Sequence, residues 1–299
     1  MNVEYVDPSN AVRYPVDVPR WRAPSGGHLN LTAGAGLRRS DIDVGCRSIW
    51  RYAKAIRVPA QGAVTLGEGW TPVVPIRWEG IEIDAKLEFM MPTGSFKDRG
   101  MTVMVTYLKQ CGLKRVLEDS SGNAGASLAA YAAAAGMEAR ILVPETASYP
   151  KIVQIAAAGA DAVTIPGSRQ DVADAALAMS DEIFYASHNR QAFFAEGTKT
   201  LAFELWEQFG FDVPEHVVVP LGYGANVLGC DHGFRELLAA GEIDRLPKIH
   251  GVQAANVRPL FRCVLGGYGS SNTHPHRADG RRGYRFLAAD TGRRSAGCC

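Results

Sequence analysis

Lys86-Leu-Glu-Phe-Met-Met-Pro-Thr-Gly-Ser-Phe-Lys-Asp-Arg-Gly100 is the stretch around which the rest of the chain is read. Lys86 to Met91 has the look of a short apolar strand. Pro92 and Gly94 break it, since proline cannot donate to a sheet ladder and glycine turns without steric cost. Ser95, three residues before Asp98, fits a helix N-cap with an acidic first turn, and the apolar run from Met101 supplies the helix. Lys97 then falls in the first turn, where unpaired N–H groups make a partly positive field. An ammonium is disfavoured there, so a lysine meant to react as a free amine is well placed. The plainer reading is a solvated surface charge.

Outward from this stretch, the strand-helix alternation is regular. Helices are expected over Met101–Gln110, Ala124–Ala135, the segment from Pro150, and Gln170–Glu182. Between them lie short strands at Arg115–Glu118, Ala139–Val143, Ala162–Ile165 and Ile183–Ala186. This pattern belongs to an α/β fold, a parallel sheet with helices on its faces. Gly197–Phe209 is amphipathic, Val217–Pro220 is a β-branched strand, Val227–Ala239 resumes helical spacing, and Ile249–Gln253 and Asn256–Leu265 suggest a strand and a last helix. Upstream, residues 1–45 read as an irregular arm packing over another part of the protein or a partner subunit. Ser48–Ile56 suits a short helix and Val73–Ile76 a strand.

The chain has 299 residues, 46% hydrophobic and 21% charged, with a formal net charge of +1. That balance gives no basic footprint for nucleic acid or anionic membrane. No apolar run approaches 18 residues, and Met1–Arg20 lacks a signal-peptide core, so a cytoplasmic protein is expected. Six cysteines, at 46, 111, 230, 263, 298 and 299, form no C-x-x-C pair and no metal-ligand spacing.

Two loops have the composition of ligand sites. Gly222-Tyr223-Gly224-Ala225-Asn226 follows a strand and opens a helix, the arrangement that aims backbone N–H groups at a phosphate. It is neither a Walker loop nor a dinucleotide fingerprint, because Val227 stands where a third glycine would be needed. An ordinary strand-to-helix turn would look the same. Ser120-Ser121-Gly122-Asn123-Ala124-Gly125 likewise joins a strand to the alanine-rich helix; its small residues would admit a carboxylate to the helix N-terminus. Serine and asparagine also make ordinary N-caps, which is the structural alternative.

Pro92-Thr93-Gly94-Ser95-Phe96-Lys97-Asp98-Arg99-Gly100 resembles the lysine motif of pyridoxal-phosphate enzymes of the tryptophan synthase β-subunit fold type, most similar to threonine synthases and next to serine/threonine dehydratases. Leu66-Gly67-Glu68-Gly69-Trp70-Thr71-Pro72 resembles the stretch that precedes that motif in threonine synthases. The resemblance spans roughly residues 65 to 265. It implies two open, mostly parallel α/β domains with the cofactor site in the cleft between them. Residues 1–98 with 197–299 would form the larger domain and 99–196 the smaller. It further implies that Lys97 carries pyridoxal 5'-phosphate as a Schiff base and that Gly222, Tyr223, Gly224, Ala225 and Asn226 hold its phosphate. Asn123 would face the ring, with Thr93, Ser120, Ser121, Gly122 and Ala124 on the substrate side. A small amino-acid substrate and a homodimer are also implied. Asp98 and Ala124 fit threonine synthase, which turns O-phosphohomoserine and water into threonine and phosphate; dehydratase-type β-elimination is the alternative.

Relatives of this kind supply a late Ser or Thr for the pyridine nitrogen. Ser270, Ser271, Thr273 and Thr291 lack its usual surroundings, and Asp279-Gly280 lies about where relatives show an acidic-Gly pair. After Gly266 the sequence loses its periodicity, so poor order is expected from about 268 to Cys298-Cys299, with little or no threonine synthase turnover. A truncated or frameshifted, non-catalytic remnant is one reading of that tail and a native divergent tail is the other.

Overall fold

The protein is described here by a computed structural model covering residues 3–254 and the strand Arg285–Ala289. The arm is less irregular than expected. β1 (Glu4–Val6) pairs antiparallel with β2 (Arg13–Pro15) on one side and β3 (Asn30–Leu31) on the other. Buried Tyr5 ties it down by donating its hydroxyl hydrogen to Tyr107 at 2.8 Å and setting its ring edge-on to Phe193. The expected helix at 48–56 is a 3-10 turn, Ile49–Tyr52, capped by the Ser48 hydroxyl.

The first correction concerns the opening stretch. Lys86 ends a strand instead of starting one: β4 (Val73–Trp78) and β5 (Ile81–Lys86) form an antiparallel hairpin through Glu79-Gly80. Beyond it Glu88–Met90 is a single 3-10 turn, with Phe89 and Met90 exposed. The reason is electrostatic. Lys86 and Glu88 turn inward to join a buried ionic cluster with Glu204 and Arg99, where charges are tolerated only in pairs.

The alternating region follows the expected order: α1 (Lys97–Gln110), β6 (Arg115–Glu118), α2 (Asn123–Ala135), β7 (Glu138–Pro144), α3 (Tyr149–Ala157), β8 (Asp161–Ile165), α4 (Arg169–Met179) and β9 (Phe184–Tyr185). Its four strands are parallel in the order β8-β7-β6-β9, so β6 lies inside the sheet and ends directly before the Ser-Gly-Asn loop. Gly136 closes α2 in the left-handed conformation, as its sequence position suggests.

Two helices, α5 (Ala192–Thr198) and α6 (Thr200–Gln208), replace the single one expected at 197–209. α5 crosses α1 at very short range. A Cβ on Gly100 would fall 2.4 Å from the Phe194 ring, and one on Gly197 would fall 2.0 Å from the Arg99 carbonyl oxygen. The glycine that ends the lysine motif is thus a packing requirement.

A second parallel sheet follows: β10 (His216–Pro220), then α7 (Ala225–Ala239), β11 (Lys248–Ala254) and β12 (Arg285–Ala289), ordered β10-β11-β12. β12 corrects the expectation of a tail without regular structure, since Arg285 to Ala289 pair in register with His250 to Ala254. The expected helix at Asn256–Leu265, the four late hydroxyls, Asp279-Gly280 and Cys298-Cys299 lie outside the described residues. The α/β class with two open parallel sheets is as expected. One buried cluster gathers Met101, Leu128 and Ile141 and a second gathers Phe203, Trp206 and Val219. No helix among the described residues is long and apolar enough to cross a membrane.

Candidate active site

Lys97 is the first residue of α1, one turn after Gly94, whose φ of +83° suits glycine. The expected Ser95 cap is displaced by one residue: Phe96 takes the cap position, and the Ser95 hydroxyl only accepts from the Lys97 N–H at 3.4 Å. What fixes the loop lies on either side of the lysine. The buried Asp98 carboxylate accepts from the Thr93 N–H at 2.7 Å, from the Thr93 hydroxyl at 2.5 Å and from Ser127 on α2 at 2.5 Å. Thr93, expected on the substrate side, therefore already spends its hydroxyl hydrogen on Asp98.

On the other side Arg99 is fully buried. It donates to Glu88 at 2.7 Å through Nε and Nη2, and to Glu204 on α6 at 2.8 and 3.0 Å. Lys86 also pairs with Glu204, and Thr71 donates to both carboxylates. Burial opposes the charge of Glu204, yet Arg99 and Lys86 outweigh it and hold the carboxyl down at about 2. The Gly-Glu-Gly-Trp-Thr-Pro turn gains a purpose here. Thr71 joins this cluster, and Glu68 accepts from Tyr131 of α2 at 2.7 Å. Arg99→Ala would strip Glu88 of its ion-pair partner and leave the buried Glu204 with Lys86 alone, an expected loss of about 3–5 kcal/mol in denaturant unfolding.

The second loop leaves the carboxyl end of β6. Gly122 stands at the cap of α2 and no side chain caps the helix, so capping does not account for Ser120, Ser121 or Asn123. Ser120 and Ser121 are half-buried, Asn123 is exposed and Ala124 is buried. Gly125, absent from the expected site, keeps the loop folded: a Cβ there would lie 1.9 Å from the Ser120 carbonyl oxygen.

The third loop leaves the carboxyl end of β10. Gly224, at φ +98°, precedes α7, again with no side-chain cap. A Cβ on Gly222 or on Gly224 would meet nothing within 4 Å, so both glycines border open space in front of unpaired helical N–H groups. Tyr223 is exposed, and the buried Asn226 side-chain oxygen has no protein partner.

Several contacts draw the loops together. Ala225 packs against the apolar cluster that includes Met101, Ala124 and Phe194. Arg169, at the start of α4, donates to Asp119, between β6 and the Ser-Gly-Asn loop, at 2.6 Å. The half-buried Lys97 amine lies 4.8 Å from the Phe96 ring centre and 5.3 Å from that of Phe194. Burial brings it down to about 8, against the pull of the Glu118 carboxylate. A helix N-terminus fronted by two glycines with room for an anion, together with a lysine amine that ionises near neutrality, fits an aldehyde cofactor bearing a phosphate.

That chemistry defines the class. A family model described as "Pyridoxal-phosphate dependent enzyme" matches residues 64–294, and the chain belongs to that family of pyridoxal-phosphate-dependent enzymes. Among curated relatives, the threonine synthase of Methanosarcina acetivorans is 37% identical over 233 residues, 74% of this chain and 56% of that protein. The chain thus spans just over half the length of such relatives. A hydrogen sulfide-producing enzyme from Fusobacterium nucleatum shares the fold, with a TM-score of 0.57 and 22% identity over 74% of this chain and 76% of that one. The processed form of threonine deaminase isoform 2 from Solanum lycopersicum aligns with a TM-score of 0.51 and 25% identity over 57% and 49%. The family match runs beyond residue 265, into the part of the chain where the sequence loses its periodicity.

Proposed function

We propose that the chain is a lyase of the threonine synthase type, acting on O-phosphohomoserine and water to give threonine and phosphate. The observation that carries this reading is the half-buried Lys97 amine, ionising at about 8 at the start of α1, within a chain 37% identical to a threonine synthase. Lys97 would hold the cofactor through its amine. Gly222, Tyr223, Gly224, Ala225 and Asn226 would hold the cofactor phosphate, mostly through backbone N–H groups. Asn123 would face the ring, and Ser120, Ser121, Gly122 and Ala124 would take the substrate carboxylate at the uncapped start of α2.

Pyridoxal phosphate, when bound, supplies an electron sink at the substrate α-carbon. The rest falls to the chain. Lys97, once freed, takes the α-proton with Nζ, which an amine ionising near 8 does without a large thermodynamic penalty. A further proton loss at the β-carbon would expel phosphate from the γ-carbon; the γ-carbon would then take up a proton, water would add at the β-carbon, and Lys97 would return a proton to the α-carbon. In this reading residues 1–98 with 197–299 form the cofactor-holding domain, 99–196 the smaller one, and the enzyme is a cytoplasmic homodimer.

Dehydratase-type β-elimination is the second reading, favoured by the likeness to threonine deaminase. The test supplies the purified chain with pyridoxal phosphate and O-phosphohomoserine and measures phosphate release. Phosphate release at about 1 per second or faster, within the usual enzyme range, would support this reading and overturn the expectation of little or no turnover drawn from the tail. Keto acid formed from threonine or serine, without phosphate release from O-phosphohomoserine, would favour the dehydratase; neither product would favour a non-catalytic chain.

A further inference from the structure

α3 carries two half-buried polar side chains that the mechanism leaves unused, Lys151 and Gln154. The Lys151 ammonium donates to the Gln154 side-chain oxygen at 2.9 Å, and the Gln154 amide nitrogen donates to the Thr93 carbonyl oxygen at 3.0 Å. The amide can face only one way, because an ammonium can only donate and a carbonyl oxygen can only accept. Since the amide oxygen and nitrogen share one carbon, the two bonds hold Lys151 Nζ within about 8 Å of the Thr93 carbonyl oxygen. Thr93 lies in the lysine loop. Its hydroxyl shares the Asp98 carboxylate with Ser127, one turn along α2 from Asn123. Gln154 thus pins α3 to the loop that carries Lys97, beside the first turns of α2, where the substrate carboxylate would sit.

We propose that Lys151 is the cation that takes the distal phosphate of the substrate, and that Gln154 is its positioning residue. This deepens the proposed function and rests on O-phosphohomoserine being the substrate. That molecule has two anionic ends, a carboxylate at the α-carbon and a phosphate at the far end of the chain, and the uncapped start of α2 serves only the first. A phosphate monoester is held best by a charged donor. Other cations of the neighbouring elements are engaged. Lys86 and Arg99 pair with Glu204, Arg169 pairs with Asp119, and Arg190 sits over the Trp21 ring. Lys151 meets no carboxylate within ion-pair distance among the described residues. The neutral Gln154 oxygen holds its ammonium without cancelling the charge. The phosphate bound there is also the group expelled, so the same charge would offset that of the leaving phosphate.

The test is equilibrium binding of O-phosphohomoserine and of homoserine to the full chain loaded with pyridoxal phosphate. The parent should prefer O-phosphohomoserine by about 10- to 100-fold, the range of one charged hydrogen bond. Lys151→Met, which keeps the stem and removes the charge, should abolish that preference and leave the affinities for homoserine and for pyridoxal phosphate unchanged. Lys151→Arg should keep most of it. Gln154→Ala should weaken the preference and spare homoserine, whereas a merely structural role would affect both ligands alike. Should these variants not fold, protection of Lys151 from trace acylation in the parent decides: O-phosphohomoserine should protect it and homoserine should not. A parent that binds both ligands equally, or a Lys151→Met protein that keeps the preference, overturns the proposal. So does a Lys151→Met protein that loses pyridoxal phosphate, since Lys151 would then serve the cofactor. A preference lost in Lys151→Met, with no phosphate released by the parent, upholds this site and overturns the proposed reaction; turnover in the parent with the preference kept in Lys151→Met does the reverse.

Discussion

Lys97→Ala is expected to remove the near-visible absorbance band formed when pyridoxal phosphate is added, and to cut turnover by at least about a thousandfold. The loss is large because one amine is asked to do two things, to link the cofactor and to move the α-proton. General acid–base work alone is commonly worth 10²- to 10⁴-fold. The fold should survive. The neighbours that organise the loop are Asp98 and Arg99, whose bonds to Thr93, Ser127, Glu88 and Glu204 do not involve the lysine. Removing an amine that burial already discourages from carrying charge should leave the melting temperature unchanged or slightly raised. A Lys97→Ala protein that keeps the band would move the linkage to another lysine. Lys86 and Lys199 are poor candidates, the first paired with Glu204 and the second with Glu196 and Glu236.

Replacing Gly222 with leucine is expected to weaken pyridoxal phosphate binding by at least about 100-fold, roughly 2.7 kcal/mol, while leaving the stability of the cofactor-free protein within about 1 kcal/mol of the parent. A side chain there enters space that no protein atom occupies within 4 Å, so the cost appears only when a ligand needs that space. Gly224→Leu should show the same loss of affinity with an added folding penalty. Its φ of +98° is a conformation that L side chains rarely adopt, at a cost of about 1–3 kcal/mol. Spectroscopic titration beside thermal melts separates the two effects. Equal affinity in Gly222→Leu and the parent would make the loop an ordinary turn.

Much of this site is written locally, and so it is legible in the sequence. Pro92 and Gly94 interrupt the chain, the apolar run from Met101 begins a helix, and Lys97 falls in its first turn whichever residue is taken as the cap. The strands before Ser120 and Gly222 are short apolar runs closed by small residues, which places both loops at strand ends. What escaped depends on residues far apart in the chain. Arg99 meets Glu204 across 105 positions, and nothing near either one announces the other. The ends of β5 move for the same reason: Lys86 and Glu88 answer to that buried cluster and not to the alternation of Leu87, Phe89 and Met90. α5 was missed because its seven residues are too short to show a helical period, although Gly100 and Gly197 carried the signal of a close crossing. Lys151 and Gln154 looked unremarkable in sequence, and only the bond from Gln154 to the Thr93 carbonyl, across 61 positions, brings them to the lysine loop.

The most direct test of the account is borohydride reduction of the protein loaded with pyridoxal phosphate, followed by peptide mapping. The predicted result is a single phosphopyridoxyl label on Lys97, in the peptide that contains Pro92-Thr93-Gly94-Ser95-Phe96. A label on Lys86, Lys199 or any other lysine, or no label at all with cofactor in excess, would contradict it.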